Sequence, residues 1–162
     1  MIKGRMRDYA RLAAGSVAVF VLAGAAIGAS AQPRFTVSAD ETEVSDARTG
    51  LVWRRCSAGQ TFSGVSCTGT AGFFTHEQAL TYARAQTGWR LPNVKELSSI
   101  VDIDRRDPSI DPVAFPGSPR SIFWSSSPLP GTPPGFALSV SFGVGMTQNS
   151  GLGNREHVRL VR

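Results

Sequence analysis

Lysine is almost missing from this chain beyond its first thirty residues: Lys95 is the only one after residue 31, where the other twelve cations are arginines. Cysteine is equally scarce, with Cys56 and Cys67 alone among 162 residues, and so is histidine, with His76 and His157. No CxxC pair occurs, which argues against a structural zinc site and leaves no metal set to propose. No GxSxG segment occurs, and no nucleophile stands at a recognisable spacing from a base, so the sequence offers no catalytic constellation. Long apolar runs are absent after Gly28, which excludes a membrane span in the remainder. Strong net charge is absent too. The first 31 residues hold four of the 17 cationic side chains and one of the 12 acids, leaving 13 against 11. A net of +2 does not make a nucleic-acid-binding protein.

What is present begins with a basic head, Lys3, Arg5, Arg7 and Arg11, followed by the apolar run Ala13 to Gly28 and the small residues Ala29-Ser30-Ala31. That order reads as a secretory signal peptide over 1–31, cleaved after Ala31. The expected location is therefore exported: periplasmic, cell-surface or secreted. There an even cysteine count argues for a Cys56–Cys67 disulfide, closing a Gly/Ser/Thr-rich loop and contributing about 3 kcal/mol on the chain-entropy model.

Residues 32–41 form a lead-in. Thr42–Ser45 and Leu51–Arg54 read as short strands around a turn carrying Asp46, Thr49 and Gly50. Cys56–Gly72 reads as loop. Thr75 and Gln78 have capping-box spacing ahead of Ala79, Leu80 and Ala83, which predicts a first helix ending near Thr87-Gly88. Asn93 and Glu96 repeat that spacing ahead of Leu97, Ile100 and Val101, and Pro92 sets Leu91 extended before this second helix. Residues 102–134 are proline-rich and mostly irregular, apart from a strand at "SIFWSSS". In "FALSVSF" the alternation puts Phe136, Leu138, Val140 and Phe142 on the core face and Ala137, Ser139 and Ser141 outward. Residues 146–148 return, and "HVRLVR" closes as a strand with Val158 and Leu160 inward. Helices early and antiparallel strands late make the class α+β.

The segments "VSDARTGLVWRRC", "GWRLPNVKELSSIVD", "IDPVAFPG", "FWSSS", "VSFGVG" and "VRLVR" stand in one order. Together they resemble the Lcl C-terminal domain family, named for a bacterial collagen-like adhesin, over about 42–162. The resemblance implies a C-type-lectin-like fold, with two helices on a twisted antiparallel sheet and a long irregular region. It implies binding rather than catalysis, with a glycan or surface protein as ligand. The alternative is an accessory subunit of a pilus or other envelope complex. The sulfatase-modifying enzymes that share this fold, echoed by Arg90 to Leu97, use late cysteines, and none follows Cys67.

Arg90 is expected to be a buried arginine whose fork satisfies carbonyls or a carboxylate, and Trp53, Trp89 and Trp124 to be core. His76 is expected to be exposed. Asp102, Asp104, Asp107 and Asp111 invite calcium, but their spacing is not an EF-hand loop and Asp-Pro is ordinary turn chemistry, so no cofactor is expected. The arginine bias favours an anionic glycan, because a planar fork matches carboxylate or sulfate bidentately. Arg105, Arg106 and Arg120 of the long loop are the candidate contacts, with Arg54 and Arg55 added.

Overall fold

The computed structural model describes residues 32–131 and 135–162; the signal-peptide reading of 1–31 lies outside the described residues. The first sheet is antiparallel in the order β1 (Phe35–Val37), β2 (Glu43–Asp46), β3 (Val52–Arg54). Its strands pair Val37 with Val44 and Val44 with Trp53. The cysteine loop holds a small hairpin, β4 (Thr61–Phe62) with β5 (Cys67–Thr68). Two helices follow, α1 (His76–Arg84) and α2 (Val94–Ser99). The last sheet runs β6 (Ile122–Pro128), β7 (Phe136–Ser141), β8 (Met146–Gly151), again antiparallel. The class is α+β, as the order of periodicities implies.

Both helices begin as their sequences dictate. Thr75 accepts from the Gln78 N–H at 3.3 Å while the Gln78 side chain accepts from the Thr75 N–H at 3.0 Å. Asn93 and Glu96 repeat the exchange at 2.9 and 2.8 Å. These reciprocal bonds satisfy N–H groups that a helix start leaves without partners. Helix α1 buries Ala79 and Ala83, and α2 buries Leu97, with Ile100 just past its end. The connector is fastened to β6: the Pro92 carbonyl accepts from the Ser126 N–H, and the Ser127 hydroxyl accepts from the Val94 N–H.

The closing segment departs from expectation. Residues 156–162 form no ladder but single bridges to several neighbours: Glu156 to Phe74, His157 to Phe123, and Val161 to both Trp53 and Arg90. Both of its faces are covered. Val158 and Leu160 enter one core cluster with Trp89, Leu91 and Trp124, while Val161 enters the other with Trp53, Phe115, Phe123 and Phe142. Its alternate positions are therefore interior as well, and Arg159 is fully buried.

Strand β7 corrects a second expectation. Ala137 is buried and Phe136 is 45% exposed, the reverse of the alternation, and Ser139 and Ser141 are buried. As the middle strand it feeds both clusters, Ala137 one and Val140 with Phe142 the other. Its serines reach the interior because they find partners, Ser139 meeting the Ser150 hydroxyl at 3.0 Å. The irregular stretch after α2 is no open loop either. Ile110 and Phe115 are in the core, and the Ser109 N–H donates to the Phe142 carbonyl.

Candidate functional site

Beside the disulfide lies a groove of about 240 Å³, lined by Arg54, Cys56, Ser57 and Gln60, by Thr61 and Phe62 of the hairpin, and by Tyr82 and Gln86 from α1 and its exit; Thr42, Ala58 and Leu160 complete it. Its architecture follows from three local facts. Strand β3 delivers Arg54 at its end. The Cys56–Cys67 bond, absent of any free cysteine elsewhere among the described residues, holds the hairpin beside it. Gly59 lets the loop close on itself: at φ +88° a Cβ there would stand 2.7 Å from the Thr70 carbonyl oxygen.

Arg54 is the groove's only charged lining residue. Its guanidinium sits 4.3 Å from the centre of the Trp89 ring, with Arg162 at 4.8 Å from the same ring. Glu43 serves Arg162 at 2.6 Å and lies 3.9 Å from Arg54, beyond hydrogen-bond range. The Arg54 side chain remains 38% exposed. An aromatic face thus fixes the fork while most of its N–H donors are left for something else.

Behind the groove Arg159 donates to the carbonyls of Arg54 and Arg55 and to the hydroxyls of Ser57 and Ser118, and its fork lies 4.7 Å from the Phe115 ring. Burial pushes its pKa down to about 9, which still leaves it charged at neutral pH. With its oxygen engaged by Arg159, Ser57 has its own O–H to offer.

The other arginines singled out in the sequence are differently placed. Arg105 pairs with Asp102 and Arg120 with Asp107, each at 2.9 Å. Arg105 and Arg106 line a separate depression with Pro108, Ile110 and Pro112. Arg55 is buried, donating to the Val113 and Glu41 carbonyls and stacking on Phe62 at 4.2 Å. Of the five, the groove takes Arg54. Sequence reasoning did not find Ser57, Gln60, Phe62, Tyr82 or Gln86. Tyr82 and Gln86, four apart, lie on one side of a helix and its exit, which was a usable signal.

The motif residues sort cleanly. Trp53 and Trp124 are fully buried and Trp89 nearly so. Arg90 is not the buried arginine its motif suggested: its side chain is 49% exposed, and its fork is bidentate on Glu96 at 2.7 Å in both bonds. That fork holds the Glu96 carboxyl below its usual range despite partial burial, with the Asn93 N–H adding to it. His76 is half-buried, not exposed, with Nε2 3.0 Å from the Ser125 carbonyl.

His157 is buried; desolvation pushes its pKa down, and Nδ1 lies 2.9 Å from the Gly72 carbonyl oxygen. Beside it, burial pushes the Glu156 carboxyl up, against a bond from Ser150. Neither lines the groove. Asp102 and Asp107 are drawn to arginines, and Asp111 accepts from the Val113 and Ala114 N–H groups. Among the described residues no group of three or more His, Cys, Asp or Glu side chains is placed to hold a metal ion.

Residues 42–162 match the model of the Lcl C-terminal domain. The chain belongs to the Lcl C-terminal domain family. A search of curated proteins finds no match. In this Lcl C-terminal domain the "GWRLPNVKEL" segment is chiefly scaffold: Pro92, Asn93 and Glu96 start a helix and Arg90 locks it. Trp89 alone does both jobs, packing in the core and seating Arg54.

Proposed function

We propose that this Lcl C-terminal domain belongs to an exported protein and acts by binding rather than catalysis, with the groove at Arg54 recognising an anionic glycan. The observation that carries the reading is Arg54 itself. It is a planar, part-exposed fork, seated on Trp89, with the Glu43 carboxylate 3.9 Å away and beyond hydrogen-bond range, in a groove with no acidic lining residue. Such a fork engages a carboxylate or sulfate bidentately. Phe62 and Tyr82 add aromatic surface, and Ser57, Thr61, Gln60 and Gln86 add neutral donors and acceptors, the mixture a sugar requires. Arg105 and Arg120 lose weight in this reading because Asp102 and Asp107 already occupy them. The C-type-lectin-like arrangement implied by the family is in keeping with it, as are the disulfide and the signal-like N-terminus. No helix among the described residues is long and apolar enough to cross a membrane.

Isothermal titration of the full chain with a uronic-acid hexasaccharide tests it. Binding at low salt that weakens with added salt and at least tenfold in Arg54→Ala is expected. Full affinity in Arg54→Ala, or no binding at low salt, refutes it.

A second reading, docking onto an envelope assembly, draws on exposed apolar side chains: Ile103, Val113, Val144 and Met146. Isolated exposed apolar residues are common, whereas a contiguous patch marks an interface. Co-purification of a defined partner that is lost on Val144→Asp and Met146→Asp, with Arg54→Ala silent, would put this reading ahead.

A further inference from the structure

If the groove takes an anionic glycan, its form restricts how much of that glycan it holds. We infer that it binds one acidic sugar unit at a time, the oxyanion on Arg54 and the ring between the hairpin and α1, so that it reads the end of a chain and not a run of charges along it. This rests on the anionic-glycan reading and narrows it.

Three observations point the same way. The first is the count of available cations. A polymer carrying a charge on each unit is gripped by a row of guanidiniums, and this groove offers one. Arg55 is buried on carbonyls, Arg159 is committed beneath the floor and Arg162 is held by Glu43. The second is size. About 240 Å³ lies below the roughly 300–1,000 Å³ that buries a drug-sized ligand, which leaves room for a single ring.

The third is the chemistry of the remaining lining. Thr42, Ser57, Gln60, Thr61, Tyr82 and Gln86 are all neutral and carry both donors and acceptors, which suits ring hydroxyls and not further anions. Among them Gln60 is held in place, its Nε2 donating to the Gly117 carbonyl at 3.3 Å while its Oε1 is enclosed.

The test uses the full chain with its disulfide intact and follows tryptophan emission, since Trp89 lies directly under Arg54. The probes are glucuronate, glucose 6-sulfate, glucose, and the uronic-acid hexasaccharide. Saturable change with glucuronate or the sulfate ester, and none with glucose, is expected. The stronger of the two names the preferred oxyanion. The hexasaccharide should bind with the same affinity per chain end, within about threefold, and with the same shallow salt dependence, because one ion pair is screened in each case.

Arg54→Ala should weaken glucuronate at least tenfold, and Arg54→Lys should recover part of it. Gln60→Leu, which leaves Arg54 on its ring but also loses the bond to the Gly117 carbonyl, should weaken glucuronate severalfold in protein that thermal melts show to be still folded. A hexasaccharide that binds through Arg54 while glucuronate and the sulfate ester do not overturns the single-unit inference and leaves the glycan reading standing. Affinity that climbs steeply with chain length does the same. Failure of all anionic probes removes both.

Discussion

Whether the Arg90–Glu96 motif is scaffold or site can be decided by taking it apart. Helix α2 has only six residues, too few to persist without its caps and its packing. Asn93→Ala removes the acceptor for the Glu96 N–H, a loss of about 1 kcal/mol for such a cap. Glu96→Ala removes the returning bond to the Asn93 N–H and both bonds to Arg90. The fork is half in solvent, so the ion pair contributes no more than about 0.5–1 kcal/mol even with bidentate geometry. Glu96→Ala should therefore lose about 1.5–2 kcal/mol, combining half a capping box with that pair.

Urea denaturation of the four proteins in an Arg90→Ala, Glu96→Ala cycle reads the pair directly. A coupling of about 0.5–1 kcal/mol is expected at low salt, shrinking as salt is added. Ligand affinity, measured well below each midpoint, should stay within twofold of the parent protein. A Glu96→Ala protein that melts like the parent and no longer binds ligand would refute the argument, because the motif would then be a site that resembles a cap.

Two further outcomes follow from the same structure. In the native protein neither Cys56 nor Cys67 should take up an alkylating reagent by intact mass, and replacing both with serine should lose about 3 kcal/mol together with groove affinity, since Cys56, Thr61 and Phe62 all line the groove; two labelled thiols in the native state would end this claim. The pH profile should show an early loss on acidification. Burial holds the folded His157 below the ordinary histidine value of 6.5, so the unfolded chain takes up that proton first, and stability falls as pH drops below about 6.5 until the folded pKa is passed. Glu156, raised by burial, opposes this at lower pH, so the clean readout is the difference between parent and His157→Gln in thermal melts from pH 7.5 to 5.5. Identical slopes would contradict it.

The parts of the fold that were legible in the sequence are those set by neighbours a few residues apart. Thr75 with Gln78 and Asn93 with Glu96 announce two helix starts, and the paired cysteines in a small-residue loop announce their bond. What stayed hidden is set by partners far along the chain. Strand β7 alternates as though one face met water, and only its place between β6 and β8, with a core cluster on either side, explains why Ala137 and Ser139 are interior. The closing residues look like an edge strand because nothing local reveals that Val52, Arg54, Arg90 and Trp124 converge on them. Asp46 read as turn chemistry. It is also the carboxylate that Arg34 clasps at 3.1 and 2.9 Å while the same fork reaches the Ser99 carbonyl, tying the lead-in to the end of α2.

The arginine bias shows the same division most sharply. Composition says that twelve arginines follow residue 31 but not what each one faces. Arg34, Arg90, Arg105, Arg120 and Arg162 each hold a carboxylate at 2.9 Å or less. Arg55 and Arg159 are buried on backbone carbonyls, and Arg48 reaches the Ser99 carbonyl. The sequence directs attention to Arg105 and Arg106 because adjacent cations in a long loop look like a patch. Folding gives Arg105 an aspartate three residues away and gives Arg54 an indole instead. An aromatic ring fixes a guanidinium in place without consuming its donors, whereas a carboxylate fixes it by consuming them. What sets Arg54 apart is therefore retained hydrogen-bonding capacity in a groove, and an excess of positive charge on the surface plays little part in it.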